Sequence, residues 1–130
     1  MADQQLLIID DDQDILDSLQ VILESKGYTV DTASNKEAGL KLFTSKKPDL
    51  LILDIMMEQD LEGYGMLNEF RKDESLKHIP IIMYSGMAKQ LGVNFRSAVE
   101  DEKRFPNVSF VDKQEGTQEL ILRIQELLSE

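Results

Sequence analysis

Two short aliphatic segments of this chain each end in acidic side chains. Residues 6–9 lead into Asp10, Asp11 and Asp12, and residues 50–53 lead into Asp54. Aliphatic runs of this length without alternation are typical of strands that are covered on both faces, as in a parallel sheet between helices. The sequence therefore predicts an α/β fold with a parallel sheet.

The acidic side chains that follow these strands are expected to lie close together. Ligands of open α/β sheets bind at the carboxyl ends of the strands, so neighbouring strands would bring Asp10, Asp11 and Asp54 to one point. Two carboxylates about 4 Å apart repel each other by up to about 4 kcal/mol at an effective dielectric constant near 20. Such a cluster requires a cation, and ligands that are all oxygen favour Mg²⁺ over zinc or copper.

Composition limits the remaining possibilities. A chain of 130 residues is long enough to bury a core and is predicted to form a single domain over residues 1–130. The net charge of −11 argues against direct binding to nucleic acid, which requires clustered Lys and Arg. No apolar stretch approaches the roughly 20 residues of a membrane span, and cysteine is absent. We expect a cytoplasmic protein that does not bind membranes.

Strand and helix patterns alternate along the whole chain. Strand patterns lie near residues 5–9, 28–32, 49–53, 80–84 and 108–111. Gly27 is placed to end the first helix, residues 34–37 form a capping box for the second, and Thr117 is the expected N-cap of the last. Weaker helical patterns occur at residues 66–70 and 87–98. This alternation predicts right-handed βαβ crossovers and helices on both faces of the sheet.

Two more strand ends carry polar groups. Ser85 follows the fourth aliphatic run, and Lys113 follows the fifth. Together with the acids, these groups suit phosphoryl transfer to a carboxylate. A hard cation and Lys113 would neutralise the phosphoryl group, Ser85 would hydrogen-bond one of its oxygens, and Asp54 would be the nucleophile.

The sequence resembles the receiver domain of two-component response regulators. The resemblance spans the whole chain and depends on four segments in order, each at the end of a predicted strand: residues 8–12, 49–57, 81–86 and 110–113. It implies a flavodoxin-like, doubly wound sheet of five parallel strands in the order 2-1-3-4-5, with five helices.

The resemblance also implies a role for each acid. Asp54 is similar to the phosphoacceptor of the family. Asp10, Asp11, Asp54 and the backbone carbonyl of Met56 match the positions that hold Mg²⁺. Asp12 lies at a position that the family does not usually use for the metal, and we interpret it as a favourable charge at the start of a helix.

Three further roles follow from the resemblance. Lys113 matches the counter-ion of the phosphoryl group, Ser85 the switch hydroxyl, and Phe110 the aromatic side chain whose rotamer reports activation. Phe110 could also be an ordinary core residue. The implied partners are a sensor histidine kinase or a histidine phosphotransfer protein. A downstream protein would bind the face formed by the fourth helix, the fifth strand and the fifth helix.

The chain departs from the family pattern at two loops. Glu58 occupies a position where the family usually has proline. Gln114 follows Lys113, where the family usually has proline with a cis bond. A cis bond before a residue other than proline costs roughly 2.5–4 kcal/mol, so the sequence leaves open whether the Lys113–Gln114 peptide is trans or is held cis by packing.

Other functions stay open at this stage. A phosphatase of the haloacid dehalogenase type also uses aspartate, Mg²⁺, a hydroxyl and lysine, but the chain lacks the threonine or valine that follows its acid-x-acid pair. A receiver-like module that binds partners without being phosphorylated is another alternative. We expect that the protein is not an enzyme and only catalyses its own phosphorylation from a phosphohistidine or a small acyl phosphate. His78 is the single histidine and is expected to be a solvated loop residue, so the donor histidine would belong to another protein.

Overall fold

The computed structural model describes residues 4–54, 69, 72–74, 76–85 and 107–128, and the structural statements below concern these residues. They form five strands, three α-helices and one 3-10 turn. In chain order these are β1 (Gln5–Ile9), α1 (Gln13–Ser25), β2 (Thr29–Ala33), α2 (Lys36–Lys46), β3 (Leu50–Leu53), β4 (Ile81–Ser85), β5 (Val108–Asp112), the 3-10 turn (Lys113–Glu115) and α3 (Thr117–Leu128).

The strands form one sheet in which every described pair is parallel. Their order is β2-β1-β3-β4-β5, as the sequence predicted. The register aligns Ile9 with Leu53, Leu53 with Met83, and Met83 with Phe110 across four strands. The carboxyl ends of these strands therefore share one edge of the sheet. The two weaker helical patterns, at residues 66–70 and 87–98, lie mostly or wholly outside the described residues.

The core lies on both faces of the sheet. Residues 6–9 and 50–53 are each at most 2% exposed, which explains why these strands show no alternation. One face packs against α2, which contributes Phe43, and the other packs against α1 and α3, which contribute Leu23 and Ile124. Each fully buried Leu, Ile or Phe stabilises the fold by about 1.5–3 kcal/mol. In the described part of the chain, no helix is long and apolar enough to cross a membrane.

Helix α1 begins and ends as the sequence indicated. The Asp12 carboxylate accepts hydrogen bonds from the amides of Asp14 (3.0 Å) and Ile15 (3.4 Å), so Asp12 is the N-cap. After the last turn, Gly27 has φ +97°, a conformation that glycine adopts without steric cost. Asp12 therefore acts at the helix start, as predicted.

The predicted N-caps of the other two helices are each displaced by one residue. Asn35, and not Ser34, caps α2, because its side-chain oxygen accepts the Ala38 amide at 2.8 Å and Asn caps as well as Ser. Thr117 is the first residue of α3 rather than its cap. Its side chain hydrogen-bonds with Tyr84, and Gly116 turns the chain into the helix with φ +94°.

Helix α2 approaches β1 very closely at Gly39. A Cβ atom at Gly39 would lie 2.6 Å from Cδ1 of Ile9, a distance that real Cβ atoms do not show. Ala38, Leu42 and Phe43 lie on the side of α2 that faces the sheet. Phe43 is fully buried and the other two are partly buried against the same core. Gly39 thus sets the distance between α2 and the strand that carries Asp10.

Candidate functional site

The backbone brings two carboxylates to one edge of the sheet. Asp10 directly follows β1 and Asp54 directly follows β3, and these strands are neighbours. The Asp10 amide donates to the Ala33 carbonyl (3.1 Å) and the Asp54 amide to the Ile9 carbonyl (3.0 Å). The backbone of each residue therefore continues the hydrogen bonds of the sheet by one bond, and this fixes the positions of both Cα atoms.

Three acids form a cluster at this edge. Asp10, Asp11 and Asp54 each bring a carboxylate oxygen to within 4.8 Å of the other two. Asp10 and Asp54 are 2% and 6% exposed, whereas Asp11 is exposed to solvent. Buried carboxylates this close together require positive charge, and carboxylate oxygens suit a hard divalent cation. The donor set therefore fits a metal ion, with the Asp11 side open to solvent.

Lys113 supplies positive charge to this cluster. Its Nζ lies 2.8 Å from Oδ2 of Asp10 and 3.4 Å from Oδ2 of Asp54. Burial acts to lower the pKa of Lys113, but the hydrogen bond to Asp10 and the charge of Asp54 outweigh it, and the pKa is raised above its usual value. The ammonium therefore stays protonated at neutral pH. The prediction that these strand ends meet is confirmed.

Tyr84 lies beside the same ammonium. The centre of its ring is 5.9 Å from Nζ of Lys113. Burial raises the pKa of the Tyr84 phenol, although a hydrogen bond with Thr117 and the charge of Lys113 act in the opposite direction. A cavity of about 300 Å³ lies beside them. It is lined by Tyr84, Lys113, Thr117 and residues of the first turns of α1, including Asp14. Sequence reasoning did not identify Tyr84, although its position directly before Ser85 at the end of β4 could have done so.

Asp112 organises the backbone around Lys113. Its carboxylate accepts the Gln114 amide at 2.8 Å and so caps the 3-10 turn that Lys113 begins. No cis peptide bond occurs in the described ranges, so the Lys113–Gln114 bond, whose isomer the sequence left open, is trans. Sequence reasoning also missed Asp112. The sequence did contain an indication. Gln114 replaces the proline of the family and so adds a backbone amide, and Asp112, two residues earlier, can accept a hydrogen bond from it.

Comparison with known proteins identifies the family. The family model described as "Response regulator receiver domain" matches residues 6–125. The chain belongs to this family. The phosphatase of the haloacid dehalogenase type that the sequence left open belongs to a different family.

Related receiver domains occur in longer proteins. "Probable transcriptional regulator ycf27" of Cyanidium caldarium is 48% identical over 82 residues, which are 63% of this chain and 31% of that protein. "DNA-binding dual master transcriptional regulator RpaA" of Synechocystis sp. is 30% identical over 126 residues, which are 95% of this chain and 48% of that protein. The chain thus spans less than half the length of these curated relatives.

Solved receiver structures share the fold. The response regulator TrrA of Thermotoga maritima, in complex with Mg²⁺ and BeF, is 31% identical and has a TM-score of 0.76, with 96% of this chain and 99% of that chain covered. The chemotaxis protein CheY4 of Vibrio cholerae has a TM-score of 0.82 at 21% identity, with 98% and 100% covered. The second likeness supports the fold alone.

The remaining predicted residues of this receiver domain are placed as follows. Ser85 is the last residue of β4 and pairs in register with Asp112. Phe110 is fully buried in β5, on the face that packs against α2. His78 is exposed in the loop before β4, as predicted. Met56 lies outside the described residues. The switch role of Phe110 stays a prediction, since core packing alone would bury it equally well.

Proposed function

We propose that this receiver domain is a phosphorylation-dependent signalling switch in which Asp54 accepts the phosphoryl group. The observation that supports this most directly is the position of the Lys113 ammonium, within 3.4 Å of the Asp54 carboxylate and 2.8 Å of Asp10. A buried aspartate that is held beside an ammonium is suited to attack phosphorus and to carry the resulting charge.

The proposed reaction forms an acyl phosphate on Asp54. A carboxylate oxygen of Asp54 attacks phosphorus while the bond from phosphorus to the donor breaks. The donor, an imidazole nitrogen of phosphohistidine or the oxygen of a small acyl phosphate, leaves with the electron pair. Lys113 then pairs with the phosphoryl oxygens, and Ser85 is proposed to hydrogen-bond one of them.

We propose Mg²⁺ as the cation of the acidic cluster. Asp10, Asp11 and Asp54 would hold it, and the Met56 carbonyl is the further ligand that the family resemblance implies. The three carboxylates within 4.8 Å of one another fit this ion because they are hard oxygen donors with one side open to solvent. When bound, Mg²⁺ would neutralise charge on the transferring phosphoryl group.

The donor histidine is proposed to come from a partner, a sensor histidine kinase or a histidine phosphotransfer protein. His78 is the only histidine of the chain and lies before β4, whereas the acids lie beyond the carboxyl ends of the strands. A strand of five residues spans roughly 16 Å at about 3.3 Å per residue, so His78 is at the opposite edge of the sheet. His78 therefore cannot deliver a phosphoryl group to Asp54 of the same domain.

The output is proposed to pass through protein contacts on the side of β5 and α3. Both elements flank the turn that carries Lys113, so a change in the contacts of Lys113 acts on their backbone first. Ser85, at the end of β4, and Phe110, in the middle of β5, are the proposed switch residues. The net charge of −11 argues against direct contact between this domain itself and nucleic acid.

The test is phosphorylation by acetyl phosphate with Mg²⁺, followed by intact-protein mass spectrometry. We expect one added phosphoryl group in the wild-type protein and none in D54N. D17N is the matched control, because it removes the same charge from an exposed residue of α1. A wild-type protein that stays unmodified under saturating donor would support the alternative of a receiver module that is not phosphorylated.

A further inference from the structure

We propose that Asp112 is a positioning residue, which aims the side chain of Lys113 at Asp54 by capping the turn in which Lys113 lies. The proposal rests on the proposed function, since it concerns how Lys113 reaches the phosphoacceptor. Asp112 itself would not contact the phosphoryl group. It would act through the backbone of Lys113 and Gln114.

The contact that carries the proposal is the hydrogen bond from the Gln114 amide to the Asp112 carboxylate, at 2.8 Å. Asp112 is 9% exposed and has extended backbone angles (φ −80°, ψ 130°), as the last residue of β5. A hydrogen bond to an ionised acceptor is among the stronger ones in proteins, and it strengthens as water is excluded. The cap therefore ties the turn to the end of a rigid strand.

A second bond fixes the other end of the turn. The Gly116 amide donates to the Lys113 carbonyl at 3.2 Å, and Gly116 has φ +94°, which favours glycine. Lys113 is thus held on both sides, by the cap on Gln114 and by the bond from Gly116. Because the lysine stem has four rotatable bonds, its ammonium keeps a fixed place only when its backbone origin is fixed.

The structure does not favour a role for Asp112 as a metal ligand. Among the described residues, the acidic cluster with ligand atoms within 4.8 Å contains Asp10, Asp11 and Asp54 but not Asp112. The Asp112 carboxylate is instead engaged by a backbone amide, and its register partner is Ser85. Loss of its side chain should therefore displace Lys113 without weakening the affinity of the cluster for Mg²⁺.

Four substitutions separate the cap from the charge. D112N and D112S keep a short side chain that accepts the Gln114 amide, and Asn and Ser cap about as well as Asp. D112A removes the acceptor, and D112E keeps the charge but moves it by one methylene. N35A is the matched control, since it removes the cap of α2, a bond of the same length at 2.8 Å on another helix.

The first measurement is the rate of phosphoryl uptake from acetyl phosphate at saturating Mg²⁺. We expect D112A and D112E to be slower than wild type by roughly ten- to a hundredfold. This is the usual effect when a catalytic group, here the Lys113 ammonium, is displaced by about 1 Å. D112N and D112S should stay within about threefold of wild type because the cap is retained. N35A should keep the wild-type rate while its melting temperature falls.

Two further measurements do not require phosphorylation. The dissociation constant for Mg²⁺, measured by NMR titration, should be unchanged in D112N and D112S and should not rise in D112A or D112E, whereas loss of a metal ligand would raise it. The ¹H–¹⁵N cross-peak of the Lys113 ammonium, assigned by its loss in K113M, should be present in wild type and D112N. It should disappear in D112A and D112E because the freed side chain exchanges with water.

The proposal is overturned by any of three results. D112A and D112E could take up phosphoryl at the wild-type rate, D112N could be as slow as D112A, or N35A could be as slow as D112A. Should D112A not fold, D112E gives the same comparison with the charge retained. A wild-type protein that accepts no phosphoryl group would contradict the proposed function alone, and the ammonium cross-peak would still test the role of Asp112.

Discussion

Lys113 donates a hydrogen bond to Asp10, from which it is separated by 103 positions in the sequence, and this bond is shorter than its contact with Asp54. The two Nζ–Oδ2 distances are 2.8 Å and 3.4 Å. The ammonium thus occupies the charge-compensating position of the acidic cluster and holds the carboxylate that we propose as a metal ligand. A divalent cation would have to share Asp10 with Lys113. This competition leads to the first two predictions.

Replacement of Lys113 by Met should have opposite effects on metal binding and on phosphorylation. We expect K113M to bind Mg²⁺ roughly tenfold more tightly, because a like charge a few ångströms from the cation is removed. Phosphoryl uptake should fall by about 10²–10³, the usual loss when one group that stabilises the transition state is deleted. Calorimetric titration and the rate with acetyl phosphate measure the two effects. A K113M protein that binds Mg²⁺ more weakly would contradict the competition.

Binding of Mg²⁺ should stabilise the folded protein through the acidic cluster. At a Mg²⁺ concentration of 100 times the dissociation constant, the free energy of unfolding should rise by about 2.7 kcal/mol. D11N should lose most of this gain, since Asp11 is an exposed member of the cluster and its substitution leaves the core intact. Thermal unfolding with Mg²⁺ and with EDTA measures the difference. D17N, an exposed change of the same charge on α1, should respond to Mg²⁺ as wild type does.

The raised pKa of Lys113 predicts how stability depends on pH. A lysine whose pKa is higher in the folded than in the unfolded state contributes stability that is complete below the unfolded pKa of about 10.4 and is lost as pH rises through the folded pKa. The difference in free energy of unfolding between wild type and K113M, measured in EDTA, should therefore be constant from neutral pH to about pH 10 and shrink above it. The raised pKa of Tyr84 lowers stability in the same alkaline range, and the charge of Lys113 acts on that pKa, so both proteins carry the substitution Y84F in this measurement. A difference that already shrinks near neutral pH would contradict the Lys113 assignment.

Substitution of Gly39 by Ala should destabilise the protein although it favours the helix. Ala improves helix propensity by about 1 kcal/mol, but its Cβ would lie 2.6 Å from Cδ1 of Ile9, and overpacking of a core costs about 1–3 kcal/mol. We expect a net loss of about 1 kcal/mol in urea unfolding.

The variant I9A tests this steric cause because it removes Cδ1, Cγ1 and Cγ2 of Ile9, which would lie 2.6, 3.0 and 3.1 Å from the added Cβ. In the I9A background, G39A should be close to neutral, with a coupling free energy of about 1 kcal/mol in a double-mutant cycle. Additive effects of the two substitutions would show that the helix does not press on Ile9.

Much of the site could be predicted because buried parallel strands leave a plain pattern. The aliphatic runs located the strands, and the shared edge of a parallel sheet then brought Asp10, Asp54 and Lys113 together. A strand that is buried on both faces consists almost entirely of aliphatic residues, so it can be recognised in the sequence before any distance is known.

The features that sequence missed depend on distances between elements or on competing local bonds. Asn35 and Ser34 are equally good caps, and only the backbone decides between them. The roles of Gly39, Tyr84 and Asp112 arise from the approach of α2 to β1, from a phenol beside an ammonium, and from an amide that needs an acceptor. None of these has a periodic pattern.

The tight fit of Gly39 against Ile9 has a mechanical consequence. Because Ile9 directly precedes Asp10, α2 has no free space through which to slide toward the strand that carries the acid. We therefore expect α2 and β1 to stay in place. Rearrangement after modification of Asp54 should be confined to the opposite side of the sheet, around β4, β5 and α3. Amide hydrogen exchange should then change on one side of β3 and stay constant on the other.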